Sequence, residues 1–180
     1  MRFIKKIDSR KDEMLTQEFE FRTILPEEGP QTAEIEWLCF PPNEALPEQA
    51  MIDKVKAAPD LFLTAVDKET GKIAGFLNGV ATEEKHLRDE FYINAALHNP
   101  SGKNVLLLGL EVRPEYRGRG IAGELMRRYA EKAAAAGRKK LILTCVDDKI
   151  EMYRNMGFTE CGISESTWGG ERYHEMVYEL

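Results

Sequence analysis

Val112-Arg-Pro-Glu-Tyr-Arg-Gly-Arg-Gly-Ile-Ala122 is the stretch on which the reading of this chain depends. An aliphatic run over residues 105–110 precedes it, of the length and composition of a buried strand. Beyond it Ile121, Leu125, Met126, Tyr129 and Ala133 recur at three- and four-residue steps, the stripe of an amphipathic helix, and Gly137 stands where such a helix stops. A loop rich in arginine and glycine therefore joins a strand to the first turn of a helix. Amide N–H groups at a helix N-terminus are unpaired, and the helix dipole favours negative charge there. Gly118 and Gly120 let a phosphate approach the backbone, and Arg117 and Arg119 add positive charge. The spacing predicts an anion site.

Two kinds of phosphate binder compete for that motif. Gly118-x-Gly120-x-x-Gly123 fits a dinucleotide fingerprint, with Asp147 placed to hold a ribose at the end of the next strand. That fold, however, sets its glycines directly after the strand, whereas residues 113–117 intervene here, and only 33 residues follow Asp147. The Gly-Lys-Ser/Thr ending of a P-loop is absent as well. Arg117-x-x-Gly120-x-Ala122, preceded by Val112-x-Pro114-x-Tyr116, resembles instead the pyrophosphate loop of the GNAT superfamily of N-acetyltransferases, Arg/Gln-x-x-Gly-x-Gly/Ala. A second block agrees, with Tyr153 four residues before Gly157-Phe158.

Composition narrows the classes further. A chain of 180 residues, 43% hydrophobic and 31% charged, is read as soluble and globular, with residues 1–16 a polar arm and residues 17–180 one domain. A net charge of −6 argues against general binding to nucleic acid or an anionic membrane. No apolar run has the length of a membrane span. Cys39, Cys145 and Cys161 are scattered and odd in number, which fits the cytoplasm, and the three histidines show no metal-ligand spacing with them. The expected state is monomer or homodimer.

In chain order the pattern predicts a strand over 18–24 and helices over 31–40 and 47–57, the first with Ile35, Leu38 and Cys39 as its apolar face. Strands follow over 61–66 and 72–80, then a helix over 84–97, the central strand and the central helix. A strand over 140–145, a short helix over 148–155 and a hairpin of 159–166 with 172–178 around Trp168-Gly169-Gly170 complete it. This is the order of the GNAT fold: α/β, a mixed and mostly antiparallel sheet of about seven strands with helices on both faces.

The resemblance implies acetyl-CoA as acyl donor, no metal, and direct transfer to an amine. It places backbone contacts to pantetheine at Leu110, Glu111 and Val112 on the strand, where the Glu111 carboxylate is read as a solvated side chain rather than a base. It gives the pyrophosphate to Arg117, Gly118, Arg119, Gly120, Ile121, Ala122 and Gly123. Tyr153 becomes both a CoA contact and the acid that protonates the leaving thiolate, since a phenol can donate that proton. Cys145 reads as a packed thiol rather than a nucleophile.

Spacing around Phe21-Arg22, Phe40, Leu97-His98, Tyr116-Arg117, Cys145 and Asp147 is similar to the serotonin (arylalkylamine) N-acetyltransferase branch. That likeness implies a small primary amine as acceptor, bound by Phe40, Pro41, Leu108 and Thr144. The sequence departs from the branch where two histidines of the central strand become Leu106 and Leu108, and where a pocket methionine becomes Thr144. No histidine then serves as base, with His98 read as a surface residue, and the acidic limb of the pH–rate profile is expected to follow the acceptor's own basicity. Two rival functions stand beside this one: acetylation of protein or peptide amines, and a non-catalytic acyl-CoA sensor.

Overall fold

The structure is a computed structural model that describes residues 9–180. Its centre is β3 (Ile73–Thr82), buried along its whole length. Consecutive β3 side chains fall on opposite faces, as strand geometry requires. Ala74, Leu77 and Ala81 join the core under one set of helices, and Ile73 and Phe76 the core under another. Around β3 the sheet runs in the order β1-β2-β3-β4-β5-β7-β6. Its strands are β1 (Phe19–Thr23), β2 (Phe62–Asp67), β4 (Asn104–Val112), β5 (Lys140–Cys145), β6 (Thr159–Ile163) and β7 (His174–Glu179). Among the described residues only β4 and β5 pair in parallel. The seven mostly antiparallel strands and the helices on both faces agree with the architecture expected from sequence.

Helix α5 (Ile121–Ala135) covers one face through Ile121, Leu125, Met126, Tyr129 and Ala133, the stripe read from sequence. Helices α2 (Gly29–Cys39) and α3 (Glu48–Ala57) cover the other. Arg113, buried at the end of β4, locks α2 in place: its Nε donates to the Ile73 carbonyl at 2.9 Å, and its two terminal nitrogens donate to the Glu34 carboxylate at 3.1 Å.

Two irregularities mark β4. Its register against β3 slips between Asn78 and Gly79, so that Gly109 faces Asn78, Leu107 faces Gly79, and Leu108 is the extra residue of a bulge. A bulge reverses which face later side chains take. Val105 and Leu107 point to the α5 side; beyond the bulge Leu110 and Val112 do so, and Glu111 is turned to the side of α2 and α3. Parallel pairing to β5 also stops early, after Leu106 and Ile142. From Leu107 onward the two strands splay and leave one edge of β4 open.

Several expected elements differ. The polar arm is helical from Ser9, as α1 (Ser9–Glu18), and its Leu15 is buried in the core; residues 1–8 lie outside the described part. The helix expected over 84–97 shrinks to α4 (Glu90–Ile93) and a 3-10 turn, Ala95–Leu97. Asn94 breaks it by accepting the Ala96 N–H with its own side chain, and Asn104 holds the Glu84 carbonyl at 2.9 Å. Helix α2 buries the expected face only in part, with Ile35 buried and Cys39 half-buried. Leu38 is half exposed, whereas Thr32, Ala33, Ile35 and the charged Glu36 are buried. His98 is half-buried rather than on the surface, its Nδ1 accepting the Ala81 N–H at 3.1 Å. Among the described residues no helix is long and apolar enough to cross a membrane.

Candidate active site

The open edge of β4 is one wall of a cavity of about 480 Å³. Arg113 N donates to the Ala74 carbonyl at 2.8 Å. Because antiparallel pairing alternates the residues that bond to the partner strand, Leu110 and Val112 turn their N–H and C=O groups into the splay. An extended polar chain could add there as a further strand. The Val112 carbonyl already accepts from Arg117 Nε at 3.0 Å and lies 3.5 Å from the Cys39 thiol.

At one end the cavity meets the N-terminus of α5, where Gly118, Gly120, Ile121 and Ala122 line it with Arg117. Gly118 and Gly120 have φ of 77° and 94°, which side-chain-bearing residues rarely adopt. A Cβ at Gly118 would meet nothing within 4 Å, so glycine is needed there for its conformation and the space beside the loop stays open. Unpaired amides of the helix start face that space. The first-turn acid, Glu124, does not oppose an anion, because it is buried against Arg127 and Arg128 at 2.7 and 2.5 Å. Arg119 and Gly123 stand outside the lining. Arg119 lies 3.4 Å from Glu18 and stacks over the Tyr116 ring.

Tyr153, on α6 (Ile150–Asn155), lines the same cavity. Its ring packs edge-on to Phe158 at 5.7 Å. Burial pushes its pKa well above that of an ordinary phenol, so it stays neutral and can donate a proton. Cys145 is buried nearby and burial pushes its thiol up to about 11, which makes it a poor nucleophile at neutral pH. Thr144 accepts from or donates to the Tyr92 hydroxyl at 2.8 Å.

The far end mixes aromatic rings with acids. Phe40, Tyr92, Trp168 and Tyr173 line it with Leu108. The turn Trp168–Gly170 reaches it because Trp168 Nε1 donates to the Glu44 carbonyl at 2.7 Å and Tyr173 donates to Trp168 O at 3.0 Å. Pro41 is exposed and outside the lining. Glu36, Glu44 and Glu111 lie in this end. The Glu111 side chain is not solvated, as sequence suggested, but buried, and burial together with the neighbouring charge of Glu36 raises its pKa well above the carboxylate range. Lys54, buried on α3, is pushed down to about 8 by loss of solvation.

Residues 29–158 match the acetyltransferase (GNAT) family. The chain belongs to that family. A curated relative, thialysine N-epsilon-acetyltransferase of Sus scrofa, is 30% identical over 84 residues, 44% of this chain and 49% of the relative. The chain thus matches about half the length of that protein. GphF, a GNAT-like decarboxylase solved with isobutyryl-CoA, superposes with a TM-score of 0.73 at 17% identity, covering 89% of this chain and 98% of that one. A phosphinothricin acetyltransferase from Sinorhizobium meliloti, solved with acetyl-CoA, gives 0.66 at 17% identity over 90% and 88%. At such identities the structural likeness is one of fold.

Of the residues singled out from sequence, the GNAT cleft brings together Phe40, Leu108, Leu110, Glu111, Val112, Arg117, Gly118, Gly120, Ile121, Ala122, Thr144 and Tyr153. Sequence reasoning missed Glu36, Tyr92, Trp168 and Tyr173. Glu36 had one usable signal: it follows Ile35 on a helix that exposes Trp37 and Leu38, an inversion of the apolar-inward pattern.

Proposed function

We propose that this chain is an acetyl-CoA-dependent N-acetyltransferase that passes the acetyl group directly to a small primary amine. The observation that carries the reading is the set of parts that line one cavity: a glycine-pinned helix N-terminus, an open strand edge and a neutral phenol. Acetyl-CoA supplies a thioester. The α5 N-terminus with Arg117 suits its pyrophosphate, and the backbone of Leu110 and Val112 suits the peptide-like pantetheine. Tyr153 holds the proton that the departing sulfur needs. The acceptor lies against Phe40, Tyr92, Leu108 and Trp168, which favours amines with an apolar or arylalkyl body. Release of free thiol from acetyl-CoA, followed across a panel of arylalkylamines, alkylamines, polyamines and lysine-rich peptides, tests this. Arylalkyl and alkyl amines should react fastest. A win for spermidine or the peptides would overturn the acceptor assignment, and no thiol release with any amine would overturn the enzyme reading in favour of a sensor.

A further inference from the structure

The acceptor end of the cavity contains oxygens that lack donors. Both carboxyl oxygens of Glu111 and the amide oxygen of Asn78 are fully buried with no hydrogen-bond partner among the described residues. The two groups flank Gly109: a Cβ on that residue would lie 2.5 Å from Glu111 Oε1 and 3.2 Å from Asn78 Oδ1. Only glycine leaves that space free, and Gly109 lines the cavity. Glu36 faces Glu111 from α2, with one carboxyl oxygen already taken by the Leu46 N–H at 3.0 Å. Buried acceptors without donors are costly, so a site with several of them is built for a group rich in N–H. Lys54 is not that group here, because its own ammonium nitrogen is buried without a partner and so is out of reach of these oxygens.

We propose that the Glu36–Glu111 pair over Gly109 is the seat for the acceptor's primary ammonium, and that docking expels to solvent a proton held by Glu111. The inference rests on the acyl-transfer reading and adds to it the form in which the amine enters: as a cation bearing three N–H donors, one of whose protons passes to the Glu111 carboxylate before the freed nitrogen attacks the thioester. The groups that face Glu111 are Glu36 and Cys39 from α2, Lys54 from α3, Asn78 from β3 and Tyr153 from α6. Glu36 and Lys54 carry opposite charges that offset each other. A neutral Glu111 therefore leaves the empty cluster close to electroneutral, and desolvation together with the charge of Glu36 favours that state. An incoming ammonium reverses the preference, since an opposite charge within hydrogen-bond distance stabilises the carboxylate. The balance is one cation in and one proton out, so the complex has the same net charge as the empty protein.

The test is calorimetric titration of 2-phenylethylamine into the enzyme loaded with CoA, at pH 7, in two buffers of different ionisation enthalpy. Wild type should release protons as the amine binds, and 2-phenylethanol should release none. Glu111→Gln should release none and bind the amine ~10²-fold more weakly, as expected for losing a buried charge partner, with acetyl-CoA affinity unchanged. Glu111→Asp should restore the release. Should Glu111→Gln fail to bind acetyl-CoA, Glu36→Gln decides: removing the negative neighbour lowers the Glu111 pKa, so fewer protons should be released while the amine still binds. Amine binding without proton release in wild type, wild-type affinity in Glu111→Gln, or unchanged release in Glu36→Gln would each sink this inference alone. If 2-phenylethylamine does not bind, the best amine of the thiol-release panel takes its place. An enzyme that transfers acetyl to no amine sinks the acyl-transfer reading itself.

Discussion

The cleft has two ends that handle charge in opposite ways. At the α5 end positive character comes from backbone, from amides fixed by Gly118 and Gly120 and reinforced by an arginine near solvent. At the acceptor end negative character comes from side chains, Glu36 and Glu111, both buried and facing each other. The first needs no titration to work, since amide dipoles carry no removable proton. The second changes with pH and with whatever sits in it. A donor that is always anionic can be held by fixed dipoles, while an acceptor whose charge is exchangeable is met by groups that exchange protons.

Between the two ends stands Tyr153, and its removal should have the largest effect. Tyr153→Phe is expected to lower kcat by ~10²–10⁴-fold with little change in acetyl-CoA affinity, the usual loss for a general acid. Single-turnover kinetics beside a binding isotherm will show it. Near wild-type turnover would mean that the ring only packs on Phe158.

The next effect breaks the α5 end alone. Gly120→Asp places a side chain at φ 94° and a carboxylate among the amides. Backbone strain of about 1–3 kcal/mol and like-charge repulsion should together weaken acetyl-CoA binding roughly 10²-fold. Amine binding to the acceptor end should be spared. Calorimetry with each ligand separates the two, and unchanged acetyl-CoA affinity would remove the loop from the pyrophosphate site.

The smallest effect sharpens the other end. An ammonium needs the carboxylate form of Glu111, whose folded pKa is raised, so kcat/KM should fall as pH drops through a value above the ordinary carboxylate range. For amines that are fully protonated the limb should stay at one pH whatever their basicity. The expectation drawn from Leu106 and Leu108 is the reverse, that the limb follows the acceptor. Profiles for two amines of different basicity will decide. A limb that moves with the amine would return Glu111 to a structural role.

How much of this is legible in sequence depends on where each feature is encoded. The α5 loop is local: strand, glycines and helix lie within thirty residues, and Gly118 and Gly120 are where a positive φ is needed. The α5 core stripe is equally readable, because its periodicity is uninterrupted. The acceptor end is assembled from α2, α4, β4 and the Trp168 turn, and no local pattern announces their meeting. Glu111 shows this most clearly. Simple alternation puts it on the same face as Val105 and Leu107, and only the extra residue at Leu108 turns it toward Glu36. That bulge comes from pairing with β3, which the β4 sequence does not contain. The short α4 is hidden for a similar reason, since Asn94 and Asn104 redirect backbone groups through side-chain bonds.

The unpartnered groups around Gly109 also bear on how firmly the empty enzyme holds together. A buried polar atom without a partner costs about 1–3 kcal/mol, and Glu111, Asn78 and Lys54 all contain such atoms. A fold that retains them is less heat-resistant than the same backbone with an apolar residue of similar volume at position 111. Because the Glu111 pKa is higher folded than unfolded, part of the remaining stability is also lost as the medium becomes more alkaline through that pKa. A bound amine would reverse both trends. The melting temperature of this protein is thus coupled to its acceptor more than its modest cavity would suggest, and a screen for thermal shifts would respond to cations before it responded to size.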